Sequence, residues 1–207
     1  MVAKETKQRG RPRSFDRDTA LEKAIRSFWE YGYESTSISD LTREMGISAP
    51  SLYAAFGDKR ALFGEAIAVY GEQYGGFISR ALAEESTARR GVERALREAA
   101  VEYTVPDRPR GCMVISAALN TAPASAEVAA SLREKRQSNT QEVERAIRAD
   151  VATGELPAGT DAGALAAYVS AVIAGMSQSA RDGADRATLE TVAALAMCAW
   201  PQQRERA

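Results

Sequence analysis

The sequence predicts an all-α fold in which a small three-helix unit precedes a larger helical domain. Apolar residues recur three and four positions apart through most of the 207 residues, as they do on the buried face of a helix. No run of alternating β-branched residues predicts a strand. We expect a basic flexible arm over residues 1–13, a three-helix domain over 14–60 and a helical domain over 61–207.

The first helix is predicted to begin after Asp16 or Asp18 and to run to about Tyr33. An aspartate before a helix accepts hydrogen bonds from the backbone N–H groups of its first turn. Gly32 supplies the residue that ends the helix. Its apolar stripe predicts the core of the small domain: Ala20, Leu21, Ala24, Ile25, Phe28 and Trp29.

Residues 35–59 predict two short helices joined by a tight turn. Ser37 with Asp40 three positions later is a helix start signal, and Gly46 can adopt the left-handed conformation that closes the helix. Ser48 is suited to cap the next helix, which carries Pro50 in its first turn and runs to about Phe56.

The second of these helices has one packing side and one outward side. A helical projection places Leu52, Ala55 and Phe56 on the packing side, and Pro50, Ser51 and Ala54 on the outward side. No charged residue occurs from 45 to 57. Such a helix can lie deep in the major groove of DNA, because no anion repels the phosphates and no long side chain holds it away.

This region resembles the DNA-binding domain of the TetR family of bacterial repressors. The family pattern of Gly, small apolar, Ser, Leu-Tyr and Phe stands here as GISAPSLYAAF, followed by Asp58-Lys59 and Leu62-Phe63. The resemblance covers roughly residues 14–65. The alternative is an ordinary helical hairpin whose turn contains Gly and Ser.

The resemblance implies a helix-turn-helix DNA-binding domain in which Tyr53 and Lys59 contact phosphates. The N-terminus of the preceding helix also favours a phosphate. Since Ala49, Pro50 and Ala54 have no side-chain donors, base reading would rest on thymine methyl groups, serines, Arg43 and the arm. The predicted DNA contacts are Arg9, Arg11, Arg13, Thr36, Ser37, Arg43, Ser48, Ala49, Pro50, Ser51, Tyr53, Ala54 and Lys59.

The N-terminal arm is cationic and contains helix-breaking residues. Between residues 4 and 13 it carries five Lys or Arg against one acid, with Gly10 and Pro12 opposing a helix. Its segment RGRPR resembles hooks that bind the narrow minor groove of A·T-rich DNA. A solubilising tail is the alternative, and the neighbouring helix-turn-helix favours the groove.

The larger domain is predicted to begin with one long helix from Asp58 as far as Leu82. Further helices are expected over 91–104, 111–121, 126–153, 162–181 and 187–200. The last two are rich in Ala, Gly and Ser, which let helices approach closely. In the TetR family the equivalent hairpin pairs with its copy, so the resemblance implies a homodimer, and an intramolecular core is the alternative.

The middle helices are where the resemblance implies a pocket for an unknown small-molecule effector. Aromatic, sulfur-bearing and amide residues on helices expected to face one another are the candidates. The predicted ligand contacts are Tyr70, Tyr74, Phe77, Tyr103, Cys112, Met113, Ser116, Asn120, Tyr168 and Met176. Cys112 has two interpretations, an inert buried thiol or a redox sensor without a nearby resolving cysteine.

The composition argues against an enzyme and against a metal site. The chain has no histidine and two cysteines without metal-ligand spacing, so His-dependent triads and the commonest metal ligand are excluded. No signal peptide or membrane span is apparent, which predicts a cytoplasmic protein that stays out of membranes. We expect no cofactor.

The expected function is a sequence-specific repressor that binds a double-stranded DNA operator and is released by an effector. Two alternatives belong to other classes. A constitutive or architectural DNA-binding protein would lack an enclosed apolar pocket, and an enzyme built on Asp/Glu pairs would show a strongly raised carboxylate pKa in a cleft.

Overall fold

The computed structural model describes residues 15–201, which form ten α-helices, one short 3₁₀ turn and no strand. The predicted all-α class is confirmed. The helices are α1 Arg17–Tyr31, α2 Ile38–Met45, α3 Ala49–Phe56, α4 Lys59–Gln73, α5 Phe77–Glu84, α6 Ala88–Glu102, α7 Met113–Ser116, α8 Ala126–Thr153, α9 Ala162–Arg181 and α10 Arg186–Met197, and the 3₁₀ turn is Pro123–Ser125.

The predicted caps of the first three helices are confirmed. Asp16 accepts a hydrogen bond from the Thr19 N–H before α1, and Gly32 ends that helix at a φ of 82°. Ser37 and Asp40 form a reciprocal capping box at α2. Gly46 closes α2 in the left-handed region, with a φ of 72°, where glycine carries no Cβ penalty.

The first core is built by α1 to α4 and is completed by segments from later in the chain. Phe28 of α1 is fully buried and meets Phe63 of α4 edge to face, with ring centroids 5.0 Å apart. Met113 of α7 and Leu132 of α8 are buried in the same cluster. The hydrophobic core of the small domain therefore does not end at residue 60.

The predicted single helix from Asp58 as far as Leu82 is wrong, because two helices occupy this stretch. α4 ends at Gln73, and α5 begins at Phe77 after the pair Gly75 and Gly76. Adjacent glycines oppose helix continuation, because an ordered helix costs glycine the most backbone entropy. The helix predicted over 111–121 is likewise reduced to the four residues of α7.

A second core lies among α5, α6, α8, α9 and α10. Its buried members include Leu96, Ile147 and Leu189, with many alanines between them. The bounds of α8 and α9 agree with the predicted 126–153 and 162–181. Within residues 15–201 no helix is long and apolar enough to cross a membrane.

Candidate DNA-binding surface and ligand cavity

The outward side of α3 is uncharged and accessible. Leu52 and Phe56 are buried beneath it, while Pro50 and Ala54 are exposed and Ala49 and Ser51 are half-buried. Tyr53 is 50% exposed, so half of this large aromatic side chain is accessible to solvent. The inward and outward sides predicted from the helical projection are confirmed.

Ser48 fixes the start of α3 and occupies its own hydroxyl in doing so. Its Oγ accepts a hydrogen bond from the Ser51 N–H at 3.3 Å and lies 2.8 Å from the Ser51 Oγ. The two hydroxyls thus form one small polar patch beside Pro50. A hydroxyl can donate and accept, so this patch is able to contact either a base edge or a phosphate.

Arg43 lies in the last turn of α2, where it is exposed and paired with carboxylates. Its guanidinium lies 2.8 Å from Asp40 and 3.5 Å from Glu44. Hydrogen bonds from Ser37 and then from Arg43 lower the Asp40 pKa to about 2, so this carboxylate is ionised at neutral pH. The Arg43 Nη1 donates to neither carboxylate, so Arg43 can bind DNA while it keeps both partners.

Thr36 and Lys59 have partners that sequence reasoning did not anticipate. The Thr36 side chain is buried and its hydroxyl donates to the Gly32 carbonyl at 2.6 Å, so it is not presented to solvent. The Lys59 ammonium lies 4.2 Å from the centroid of the Tyr33 ring, and burial lowers its pKa. Arg9, Arg11 and Arg13 lie outside the described residues.

A polar clamp that sequence reasoning missed holds α3 against its neighbours. The Arg17 guanidinium binds both oxygens of Glu65 on α4, at 2.5 and 2.7 Å. The same group donates to the Ala55 carbonyl and lies 4.4 Å from the centroid of the Phe56 ring. Arg17 therefore joins α1, α3 and α4. Local sequence patterns do not predict this ion pair, because Arg17 and Glu65 are 48 residues apart.

A cavity of about 100 Å³ lies between α4, α5, α7, α8 and α9. It is several times larger than the roughly 10–15 Å³ that a water needs. Four predicted ligand residues line it, namely Tyr70, Phe77, Tyr103 and Cys112. The remaining wall is mostly aliphatic, with polar groups from Asn139, Thr140 and Ser170.

The other six predicted ligand residues are not part of this wall. Met113 and Met176 are buried in the two cores, and Asn120 is exposed. The Ser116 hydroxyl donates to the Cys112 carbonyl, the Tyr74 hydroxyl to Glu22 and the Tyr168 hydroxyl to the Ala196 carbonyl. These three hydroxyls already have protein partners.

Three titratable groups converge on one side of the cavity. Burial raises the pKa values of Tyr70 and Tyr103 well above the ordinary phenol range, so both rings carry neutral hydroxyl groups. Burial also raises the pKa of the Cys112 thiol, against a smaller lowering by the hydrogen bond to Tyr70. At neutral pH this side of the cavity is polar but uncharged.

Lys135 and Arg136 are cavity residues that sequence reasoning missed. Both lie on α8, with Lys135 exposed and Arg136 half-buried. A signal was available in the sequence, since α8 carries the run Arg133-Glu134-Lys135-Arg136 and part of that run has to face inward. The helical repeat alone did not identify which cation does so.

The cavity and the small domain are joined through α7 and the loop before it. The Arg136 guanidinium donates to the Val114 carbonyl at 2.7 Å, and the Met113 N–H donates to the Tyr70 hydroxyl. At the other end of α7 the Tyr33 N–H donates to the Ala117 carbonyl at 2.7 Å. A change at the cavity wall can therefore reach the end of α1 through one short helix.

A second connection runs from α9 to α1. Arg181 donates to the Trp29 and Glu30 carbonyls at 3.2 and 3.0 Å, and the Trp29 indole N–H donates to the Gly111 carbonyl at 3.1 Å. These contacts satisfy carbonyls at the open end of α1.

In the part of the chain that the structure describes, no group of three or more His, Cys, Asp or Glu residues could hold a metal ion.

The small domain presents an exposed, uncharged helix on a three-helix core, as a helix-turn-helix protein does. The larger helical domain contains its own cavity, as ligand-binding domains do. The family profile of bacterial regulatory proteins of the TetR family matches residues 20–66. The profile of the tetracyclin repressor-like C-terminal domain matches residues 71–196. The chain therefore belongs to the TetR family and is a DNA-binding transcriptional regulator.

Named relatives agree along most of the chain. The HTH-type transcriptional repressor ComR of Escherichia coli (strain K12) is 36% identical over 200 residues, 95% of this chain and 94% of ComR. The repressor BdcR of the same organism is 30% identical over 129 residues, 62% of this chain and 66% of BdcR. Both names describe transcriptional repressors.

A solved structure shares the fold closely. A cysteine mutant of the TetR family regulator CifR, in complex with 26bp double-strand operator DNA, has a TM-score of 0.89 and 42% sequence identity. The match covers 93% of this chain and 100% of that chain. Both domains of this chain therefore have counterparts in CifR.

Proposed function

We propose that this protein is a homodimeric repressor that binds a double-stranded operator and is released by a small-molecule effector. The observation that carries the proposal is the exposed, uncharged side of α3, positioned on a rigid core and connected to an apolar cavity in the larger domain. The relatives named as repressors, and the CifR complex with operator DNA, support the same function.

The proposed base-reading surface consists of α3 and its flanks. Ala49, Pro50 and Ala54 would contact thymine methyl groups, and the Ser48–Ser51 patch and Arg43 would supply hydrogen bonds. Tyr53 and Lys59 would contact phosphates beside the groove, together with the N-terminus of α2 at Thr36 and Ser37. For Thr36 the contact would involve the surrounding backbone, because its hydroxyl is bound to Gly32.

The proposed dimer surface is the outward side of α9 and α10. Tyr168, Val192 and Leu195 are large apolar residues that remain 38%, 37% and 65% exposed in the single chain. A second copy that covers them would remove apolar area from water and hold two copies of α3 at a fixed spacing. Two half-sites bound together multiply the affinity of one short helix.

The cavity favours an effector-responsive repressor over a constitutive DNA-binding protein. Apolar walls with a few polar groups are typical of small-molecule sites. An effector that prefers one arrangement of the two domains shifts the population by its difference in affinity for the two states. In this protein α7 and Arg181 would carry that difference to α1.

The first experiment measures binding to DNA fragments around the protein's own gene by fluorescence anisotropy over a salt series. Tyr53→Ala should weaken selective binding while the free energy of unfolding stays within about 0.5 kcal/mol of wild type, because Tyr53 lies on the surface. Tyr31→Ala is the matched control, since Tyr31 is 66% exposed and is the last residue of α1 rather than part of α3.

A second variant tests the arm. Replacing Arg9, Arg11 and Arg13 with Ala removes six arginines from the proposed dimer, so the slope of log K against log salt should fall by roughly 5 when each arginine neutralises one phosphate. Equal binding of wild type to operator fragments and to random DNA would refute the repressor proposal. An unchanged slope would remove the arm from the binding surface.

A further inference from the structure

Arg136 brings a positive charge to the wall of a mainly apolar cavity. The side chain is half-buried, and burial followed by repulsion from Arg133 lowers its pKa. No carboxylate of residues 15–201 forms an ion pair with it, and the guanidinium's single hydrogen bond to those residues goes to the Val114 carbonyl. The guanidinium therefore keeps unused N–H donors beside the cavity.

The surroundings of Arg136 offer it no anion. The residues three and four positions away on α8 are Leu132, Arg133, Asn139 and Thr140, none of which is acidic. No Asp or Glu is among the cavity-lining residues in the described part of the chain. A half-buried cation without a counter-ion costs free energy, and an anion bound beside it would offset that cost.

Arg94 is a partly exposed arginine whose charge is balanced by carboxylates of the same chain. It is 28% exposed and binds Glu84, Glu85 and Glu98 at 2.7 to 3.3 Å. Arg136 has the opposite environment, with an open volume where Arg94 has three carboxylates. Arg181 is also half-buried without a carboxylate, but it donates to three backbone carbonyls, whereas Arg136 donates to one and lines an open volume.

We propose that the effector is an amphipathic organic carboxylate whose apolar body fills the cavity and whose head binds the Arg136 guanidinium. The inference rests on the proposed effector-responsive function and specifies the chemistry of that effector. A carboxylate matches the planar fork of arginine and can accept two parallel hydrogen bonds. Phe77, Val143 and Ile173 would contact the apolar body, and the outer Lys135 would add attraction for the anion.

The same contact explains how the effector would act on DNA binding. Arg136 donates to the Val114 carbonyl of α7, and α7 holds the start of the α1–α2 connection through the bond from Tyr33 to Ala117. A carboxylate held by the unused N–H groups pulls the guanidinium into the cavity and away from Val114, because a charged acceptor attracts it more strongly than a carbonyl does. Loss of that bond loosens a four-residue helix against the end of α1.

The test uses matched compounds that differ in charge and share their apolar part. Octanoate is compared with octanamide and octylamine, and 4-phenylbutyrate with its amide, by calorimetric titration of the full chain. Wild type should bind at least one acid about tenfold or more tightly than its amide, the preference expected for a charge-assisted bond in a half-buried site. Octylamine should bind most weakly of the eight-carbon series.

Variants on one helix identify the anchor. Arg136→Gln should remove the preference for the acid, Arg136→Lys should keep part of it, and Arg133→Gln should keep all of it, since Arg133 is exposed on the same helix. The bound acid should also weaken operator binding of wild type in the anisotropy assay, and this loss should be smaller for Arg136→Gln.

Several results would overturn the inference. Binding of the amides as tightly as the acids, or no binding by either acid, would refute a carboxylate effector. An acid preference that survives in Arg136→Gln would refute the anchor, and an acid that binds without weakening operator binding would refute the Val114 step. Operator binding by the compound-free protein is measured separately, so failure of the repressor proposal is distinguishable from failure of this one.

Discussion

Gly111 lies where the two domains meet, and Gly111→Ala should destabilise the protein beyond ordinary backbone strain. Its φ is 75°, and a Cβ at this position would lie 2.6 Å from the Ser177 carbonyl oxygen and 2.9 Å from the Ser177 Oγ. Both atoms belong to α9. The first is backbone, so the added methyl group cannot be accommodated by a change of side-chain rotamer alone.

The expected cost has two parts. Alanine in the left-handed region costs roughly 1–2 kcal/mol. Separation of the two segments would stretch the hydrogen bond from the Cys112 N–H to the Ser177 Oγ, which is 2.9 Å long, and that from Trp29 to the Gly111 carbonyl. Each weakened bond contributes on the order of 1 kcal/mol, so the sum is about 3–4 kcal/mol.

Gly46→Ala is the matched control because Gly46 has a nearly identical φ of 72° and no atom within 4 Å of an added Cβ. Gly46→Ala should therefore lower the free energy of unfolding only by the roughly 1–2 kcal/mol that the left-handed backbone costs alanine. Urea unfolding at one protomer concentration should therefore give a loss at least about 1.5 kcal/mol larger for Gly111→Ala than for Gly46→Ala. Equal losses for the two variants would refute the steric argument.

Three further predictions concern single groups. The Asp40 carboxylate stabilises the fold above its ordinary pKa of 3.8, and this stabilisation is lost as the pH falls through about 2. The difference in unfolding free energy between wild type and Asp40→Asn should therefore shrink between these two pH values. A constant difference would contradict the capping role. A double-mutant cycle of Arg17→Met and Glu65→Gln, measured as free energies of unfolding, should give a coupling energy of about 0.5–1 kcal/mol, because the pair is only partly buried. A coupling energy of zero would refute the role of this pair in holding α3. Cys198 should react with a thiol reagent at neutral pH far faster than Cys112, because burial raises the pKa of the Cys112 thiol. The variant Cys198→Ser should therefore lack the fast phase of the reaction. A fast phase that persists in this variant would favour the redox interpretation of Cys112.

The sequence determined the small domain in detail because its signals are local. A cap and its helix are a few residues apart, as with Ser37 and Asp40, or Gly46 and the end of α2. The inward side of α3 follows from the helical repeat alone. The DNA contacts proposed on this surface, and the division of the chain at residues 13 and 60, stay predictions.

The tertiary structure decided which distant residues meet. Tyr70 and Cys112 came to one cavity while Tyr74 and Asn120 did not, because a residue type says nothing about which side of a helix faces a neighbour 40 residues away. Arg136 was missed for the same reason, since its inward position depends on the packing of α8 against α7 and α9. The break after α4 was also missed. The apolar repeat continues across Gly75 and Gly76, but the helix ends before these two glycines.

The division between sequence and structure is therefore one of range. The starts, ends and buried stripes of α1, α2 and α3 are set by interactions within about four residues, and the sequence by itself determined them. The cavity, the Arg17 clamp and the connection from Val114 to Tyr33 depend on contacts between segments far apart in the chain. Those contacts exist only once both cores have packed, which is why the tertiary structure alone decided them.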